Sequence, residues 1–472
     1  MSVKSSTKTP SFPKPGEAGY IEPKSFGGVI PSLAQVAELG PPKSEIGVGC
    51  LQPWNGKLYV VNYNSHKAHS GAGVGMRVID ENLQMIHHPE AVDGTYANRF
   101  VHHNTNRMII GPHVVDPEHN VTTIKELVPC RLCGVAKHLT NDELVYVLAM
   151  EGEVFELNPV TFECKQIMDL QEELGTEGEG RVHFKDCYSC FGRFIVCSNE
   201  YNEDDWKRER DQGRLAEWDG KKWTILERKP FVCTAGREGF GGTTFASGWD
   251  QASAILKVFT DADKTWRTYR LPKASHCFDH KWQTEWPRIR EVEHERLLMD
   301  HHGMFYELSP WAYGNRIWGV RPISTHLWVH GDFCSYRGML VLGADNASNP
   351  GSAEPQSGLW FGKTDDLWKL GKATGWGGPW WDQPIKAGEA SDPYLMTGFD
   401  KKCIHIKHDA DKPVTFNVEV DFMGCGEFVS YAKMAAPAKG YVQHTFPEGF
   451  SAHWVRVTSD SDCTATAQLF YT

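Results

Sequence analysis

The chain has 472 residues, about three times a typical ~150-residue domain, and its 49 basic and 60 acidic side chains leave a net charge of −11. That balance excludes the broad basic surface of a nucleic-acid binder, and no run approaches the ~18 apolar residues of a membrane span. With 12% aromatic residues and 17 Trp, the chain can fill a large core and is not disordered, and its 21 His supply metal ligands or proton carriers.

Residues 1–28 form a polar segment rich in Ser, Lys and Pro, without the apolar centre of a secretory signal. Such a start fits a protein kept in the cell or a mature secreted form. From there a turn followed by a short apolar strand recurs along the chain. It begins with Asn55-Gly56-Lys57-Leu58-Tyr59-Val60-Val61 and returns at Thr105–Ile110, Asp142–Val147, Phe191–Val196, Ala252–Leu256, His294–Met299 and Arg337–Leu342. The anchors Gly56, Asn106, Glu143, Gly192, Ser253, Glu295 and Gly338 lie 37 to 61 residues apart. Seven repeats near the ~40–50-residue period of a propeller blade predict an all-β chain with a seven-bladed β-propeller over residues 29–375. An irregular array of β-sandwiches is the alternative. Only residues 34–39 and 170–174 look briefly helical.

The Gly- and Trp-rich stretch 376–382 reads as a boundary. Beyond it Val414, Phe416, Val418, Val420 and Phe422 alternate with polar residues, the pattern of a strand with one buried face. Residues 376–472 are therefore expected to form a small β-sandwich-like domain packed on the propeller. The thirteen Cys are scattered; Cys130 and Cys133 have redox-motif spacing but no surrounding βαβ unit, so buried thiols are expected.

The residues preceding each anchor are conspicuously polar: His102-His103, His138, His183 with Tyr188, Glu285, His301-His302, and His330 with Asp332. In a propeller such positions are expected to converge at the central channel. Two chemistries suit them. His276, Cys277, His301, His302 and Cys334 offer imidazole and thiolate to zinc, with His276, His302 and Cys334 as the favoured ligands; oxygen ligation of calcium is the other option. Alternatively His acts as base and Tyr as acid, while Arg181, Arg214 or Arg237, with His183, holds an anionic substrate. The Gly-rich run 236–242 lacks the Lys-Ser/Thr and the helix of a phosphate loop.

Several segments carry a family resemblance: Asn104-Thr-Asn-Arg-Met-Ile-Ile-Gly-Pro112, Lys137-His-Leu-Thr-Asn141, Leu215-Ala-Glu-Trp-Asp-Gly220, Leu271-Pro-Lys-Ala-Ser-His276, Thr284-Glu-Trp-Pro-Arg-Ile-Arg290, His302-Gly-Met-Phe305 and Ser391-Asp-Pro-Tyr-Leu395. In this order they resemble the seven-bladed β-propeller polysaccharide lyases, which include ulvan lyases and L-rhamnose-α-1,4-D-glucuronate lyases. The resemblance implies β-elimination at a uronic acid, with base and acid among His102, His103, His138 and Tyr188. It also implies Arg237 or Arg214 on the substrate carboxylate, one structural divalent ion, and no organic cofactor. The expected partner is a uronate-bearing polysaccharide or its chain end, met by a monomer, with no nucleic acid or membrane. That substrate class implies an extracellular setting. The charge of −11 would repel a long polyanion and favours attack at a chain end. Two other functions stay open: hydrolysis by a carboxylate pair such as Glu285 and Asp332, and a propeller that binds glycans or proteins without catalysis.

Overall fold

Tight turns set the repeat. Asn55-Gly56, Phe191-Gly192 and Arg337-Gly338 each place two consecutive residues at positive φ, the two-residue turn whose twist matches an antiparallel hairpin. A Cβ on Gly56, Gly192 or Gly338 would meet nothing, so these glycines answer to backbone conformation and not to space. The second strands of the units are buried on both faces: every residue of Val145–Ala149 and of Ala254–Thr260 is buried. The continuous apolar runs in the sequence are therefore strands sandwiched between neighbouring sheets.

The computed structural model describes residues 6–20, 24–26, 33–35, 46–64, 75–92, 94–176, 181–201, 213–238, 242–274, 287–310, 312–313, 316–317, 319–326, 329–346 and 358–472. Within them the antiparallel ladders resolve into successive up-and-down units. The first strands of these units are Ile46–Trp54, Arg99–His102, Leu132–Lys137, Arg181–Cys190, Phe231–Gly236, Arg288–Glu293 and Val329–Tyr336. Each first strand contacts the next, and the last packs against the first, so the strands close a ring. A ring of inner strands with sheets radiating outward is a β-propeller.

The N-terminal residues take part in this closure. Thr7–Lys8 adds a fifth strand to the second blade, and Leu33–Gln35 lies beside Gly358–Gly362 of the last. Ala34 is thus in a strand, paired with Ser25, where the sequence had suggested a helical turn; residues 36–39 lie outside the described residues. Leu170–Leu174 is the expected short helix, opened by the Asp169 carboxylate on the Gln171 N–H and closed by Gly175 at φ 65°.

The C-terminal strands form two facing sheets. One contains Gly375–Ile385, Cys463–Tyr471, Lys402–His408 and Tyr441–Thr445; the other contains Tyr394–Leu395, Trp454–Ser459, Val414–Asp421 and Val429–Ala436. The second continues the fifth blade, because Tyr394 pairs with Arg270 on that blade's outer strand. One apolar cluster runs from Leu256, Leu271 and Tyr306 of the propeller to Trp380, Phe416 and Leu469 of the sandwich. Buried Arg270 adds ion pairs to Asp250 (3.0 Å) and Asp392 (2.9 Å) across the same junction.

Candidate functional site

Strand direction divides the polar residues between the two ends of the ring. First strands all run the same way, so residues at their ends gather around the tight hairpins, while residues at their starts gather at the opposite mouth. His102 and His103 close the first strand of the second blade, His138 follows that of the third, Tyr188 lies near the end of that of the fourth, and Arg237 follows that of the fifth. His183, Arg214, His301, His302 and His330 sit at the other mouth. The single convergence expected from sequence is therefore corrected to two separate clusters.

At the hairpin end the imidazoles serve their own blades. The Nδ1 of His138 accepts the N–H groups of Thr140 and Asn141 at 3.2 and 3.0 Å, and its Nε2 lies 3.0 Å from Glu156. Its ring packs 4.5 Å from that of Tyr146. Both nitrogens are committed, so His138 pins a turn and is not placed as a general base. His102 Nδ1 lies 2.8 Å from Thr105 Oγ1 within its own hairpin, and burial holds the imidazole below its ordinary pKa; His103 is exposed beside it. Burial pushes the Tyr188 phenol far above its ordinary value, and Arg237 is tied to Glu291 at 3.1 Å.

The ring interior is ionic. Asp332, fully buried, accepts Arg99 Nε and Arg290 Nε, each at 2.8 Å, and the Leu51 N–H at 2.9 Å. Burial alone would raise this carboxyl; Arg290 and Arg99 overcome it and hold it below the usual range. Asp186 accepts the N–H groups of Cys187 (2.9 Å) and Thr234 (3.0 Å). These contacts join first strands of different blades. Asp332 is therefore locked into the scaffold and is unsuited to hydrolysis, and Glu285 lies outside the described residues.

Of the predicted metal set, only His301, His302 and Cys334 fall among the described residues. His276 and Cys277 lie outside the described residues. Cys334 packs among Val48, Leu51 and Tyr336, and burial raises its thiol to about 12. His302 stacks instead on His301 and meets the edge of Trp249 at 5.2 Å. Arg214 is buried, its guanidinium donating to Gly213 O at 3.0 Å and its backbone N–H to Ser198 Oγ at 2.9 Å. The side chain of Arg181 is outside the described residues. His183 Nε2 lies 3.2 Å from Arg131, which pairs with Glu151. The described cysteines are all free thiols, and burial raises those of Cys130 and Cys133, so the short-spaced pair lacks the thiolate that redox exchange needs.

A different constellation stands at this mouth. Asp300 is the penultimate residue of the second strand of the sixth blade, His326 follows its last strand, and His330 is the second residue of the next blade's first strand. Asp300 Oδ1 lies 2.9 Å from His326 Nε2, and Oδ2 lies 2.6 Å from His330 Nδ1. Burial would raise the Asp300 carboxyl, but His326 and then His330 drive it well below the carboxylate range. Burial lowers His330 below its ordinary value despite Asp300. Arg288 stands directly across the strand pair from Asp300, and its Nε donates to Gly331 O at 3.1 Å, beside His330. Phe305 backs both imidazoles, with ring separations of 4.3 and 5.3 Å.

Asp300, His326 and His330 each offer one ligand atom within 4.8 Å of the others, and one carboxylate with two imidazoles suits zinc or a similar divalent ion. The donor set fits the implied metal. Sequence reasoning named His330 and the adjacent His301-His302 but passed over Asp300, His326 and Arg288. The available signal was the His326…His330 pair straddling the junction between two repeats.

No family model and no curated protein matches the chain. Among solved structures, the WD40 repeats of RRP9 are similar to it at 8% identity and a TM-score of 0.43, covering 69% of this chain and 99% of that one. Luciferin-regenerating enzyme is similar at 11% identity and a TM-score of 0.38, covering 71% of this chain and 95% of that one. The protein is a β-propeller, as its own ring of inner strands requires.

Proposed function

We propose that the chain is a polysaccharide lyase that cleaves the bond to O4 of a uronic acid by β-elimination. The favoured substrate is terminal L-rhamnose on α-1,4-linked D-glucuronate, with ulvan-type linkages second. The observation that carries this reading is the Asp300 carboxylate held between His326 and His330.

Elimination needs a base for the proton on C5, positive charge beside the adjacent carboxylate, and a proton for the departing O4. With its Nδ1–H donated to Asp300, His330 carries its lone pair on Nε2 and takes the C5 proton. The electron pair of the C5–H bond becomes the C4=C5 double bond as the C4–O4 bond breaks. His326, which shares the same carboxylate, supplies the proton to O4. Asp300 stabilises whichever imidazole is charged, and Arg288 offsets the charge that builds on the uronate carboxylate.

The closeness of the three ligand atoms favours a second reading of the same residues, in which they hold a divalent cation. A bound ion there would supply positive charge towards the uronate carboxylate. Elemental analysis of the purified chain decides between these roles: about one equivalent of zinc or calcium, lost in a His326→Ala variant, supports the metal reading. Incubation with gum arabic tests the lyase itself. The ultraviolet absorbance of a 4,5-unsaturated uronate is expected, and its absence on both gum arabic and ulvan would leave a propeller that binds without catalysis.

A further inference from the structure

In the sandwich sheet that contains Gly375–Ile385, the central strand Lys402–His408 alternates between a buried and an outer face. Ile404, Ile406, Ala465, Ala467 and Leu469 point inward and supply the core. The opposite face carries aromatic rings that the core does not use. Trp376 pairs across strands with Phe470, and Trp381 meets Trp376 edge-on at 6.4 Å. His405 meets the edge of Phe470 at 5.4 Å, stacks on Tyr441 at 6.0 Å, and holds the Tyr441 hydroxyl with Nδ1 at 2.7 Å. Tyr441 is 54% exposed, Phe470 49% and Trp381 39%. Single exposed hydrophobic residues are ordinary, but rings on one face of all four strands of a sheet form a surface.

This surface starts at the mouth that holds the candidate site. Trp376 and Lys273 exchange backbone hydrogen bonds of 2.8 and 2.9 Å, and Lys273 Nζ lies 5.3 Å from the Trp376 ring. The next residue, Ala274, donates its N–H to His302 O at 3.0 Å. His302 is two residues from Asp300.

We infer that this aromatic face is a second glycan-binding surface, on which the uronate-bearing polysaccharide lies while its end enters the mouth beside Asp300. The inference rests on the lyase reading for its ligand. Flat rings present negative faces to the polarised C–H groups of a sugar and give large rigid contact at low entropic cost. Gln443, exposed on the same face, and Lys407, paired there with Asp382 at 3.4 Å, offer hydrogen-bond donors to sugar hydroxyl groups. The contiguity with the mouth favours a polymer that spans both. A chain end in the mouth and a chain body on the face also reconcile attack at a terminus with a polymeric substrate.

Native electrophoresis of the full chain in gels containing gum arabic tests this directly. Wild type should be retarded. The double variant Trp381→Ala/Tyr441→Ala should bind about tenfold more weakly. Tyr441→Ala alone, at an exposed position, should show an intermediate loss and guards against misfolding of the double variant. Retardation of the double variant equal to wild type, or no retardation of wild type, would overturn the inference. Failure of the lyase reading shows separately, as retardation that depends on Trp381 and Tyr441 without any unsaturated product.

Discussion

The two ends of the ring use histidine in opposite ways. At the hairpin end, His138 and His102 bond atoms of their own blades, as turn residues do. At the other mouth, His330 reaches Asp300 of the preceding blade and His183 reaches Arg131 of its neighbour. A side chain satisfied inside its own repeat stabilises that repeat. One satisfied by the next repeat is placed by the whole ring, and a site built this way has fixed geometry without a dedicated loop.

The largest effect that can break this comparison is catalytic. His330→Gln keeps a donor towards Asp300 but loses the base, so turnover should fall roughly 10²–10⁴-fold with the melting temperature within a few degrees. Next is the ionic interior. Asp332→Ala leaves Arg99 and Arg290 buried without their shared carboxylate, and chemical denaturation should show a loss of about 3–5 kcal/mol.

Acid stability isolates two imidazoles that take no part in either cluster. Burial depresses His88 to about 4 and His113 to about 3, against an unfolded value near 6.5. Stability from them is complete above pH 6.5 and falls as pH drops towards 4, because only the unfolded chain binds the protons. Each should contribute a slope of about 1.4 kcal/mol per pH unit in that window. His113→Asn should remove about half of the combined slope in urea titrations between pH 4 and 6.

The smallest effect separates the two ends most cleanly. His138→Phe should cost about 1 kcal/mol through its lost turn contacts while leaving turnover within twofold of wild type. A drop in turnover as large as that of His330→Gln would return His138 to the catalytic group.

Much of the fold was legible because its signals are local. Asn55-Gly56, Phe191-Gly192 and Arg337-Gly338 announce hairpins, and the alternation from Val414 announces a half-buried strand, which ends at Asp421 and leaves Phe422 exposed and not on the buried face. The site was only partly legible because it is assembled across repeats. Asp300, His326 and His330 come from the ends and starts of different strands, and strand direction, invisible in residue spacing, decides which mouth each one faces. Thus His138 and His330 looked equivalent in sequence although they lie at opposite ends. The 34–39 segment misled for a related reason: its period fits a helical turn, but pairing with Lys24–Phe26 draws Leu33–Gln35 into a strand.

The central claim is that elimination takes place at the mouth holding Asp300 and His330. The most direct test follows unsaturated uronate by ultraviolet absorbance, with gum arabic as substrate, for wild type, His330→Gln and His138→Phe side by side. Product from wild type and His138→Phe, with His330→Gln silent, is the predicted result. Product from His330→Gln at the wild-type rate would contradict it.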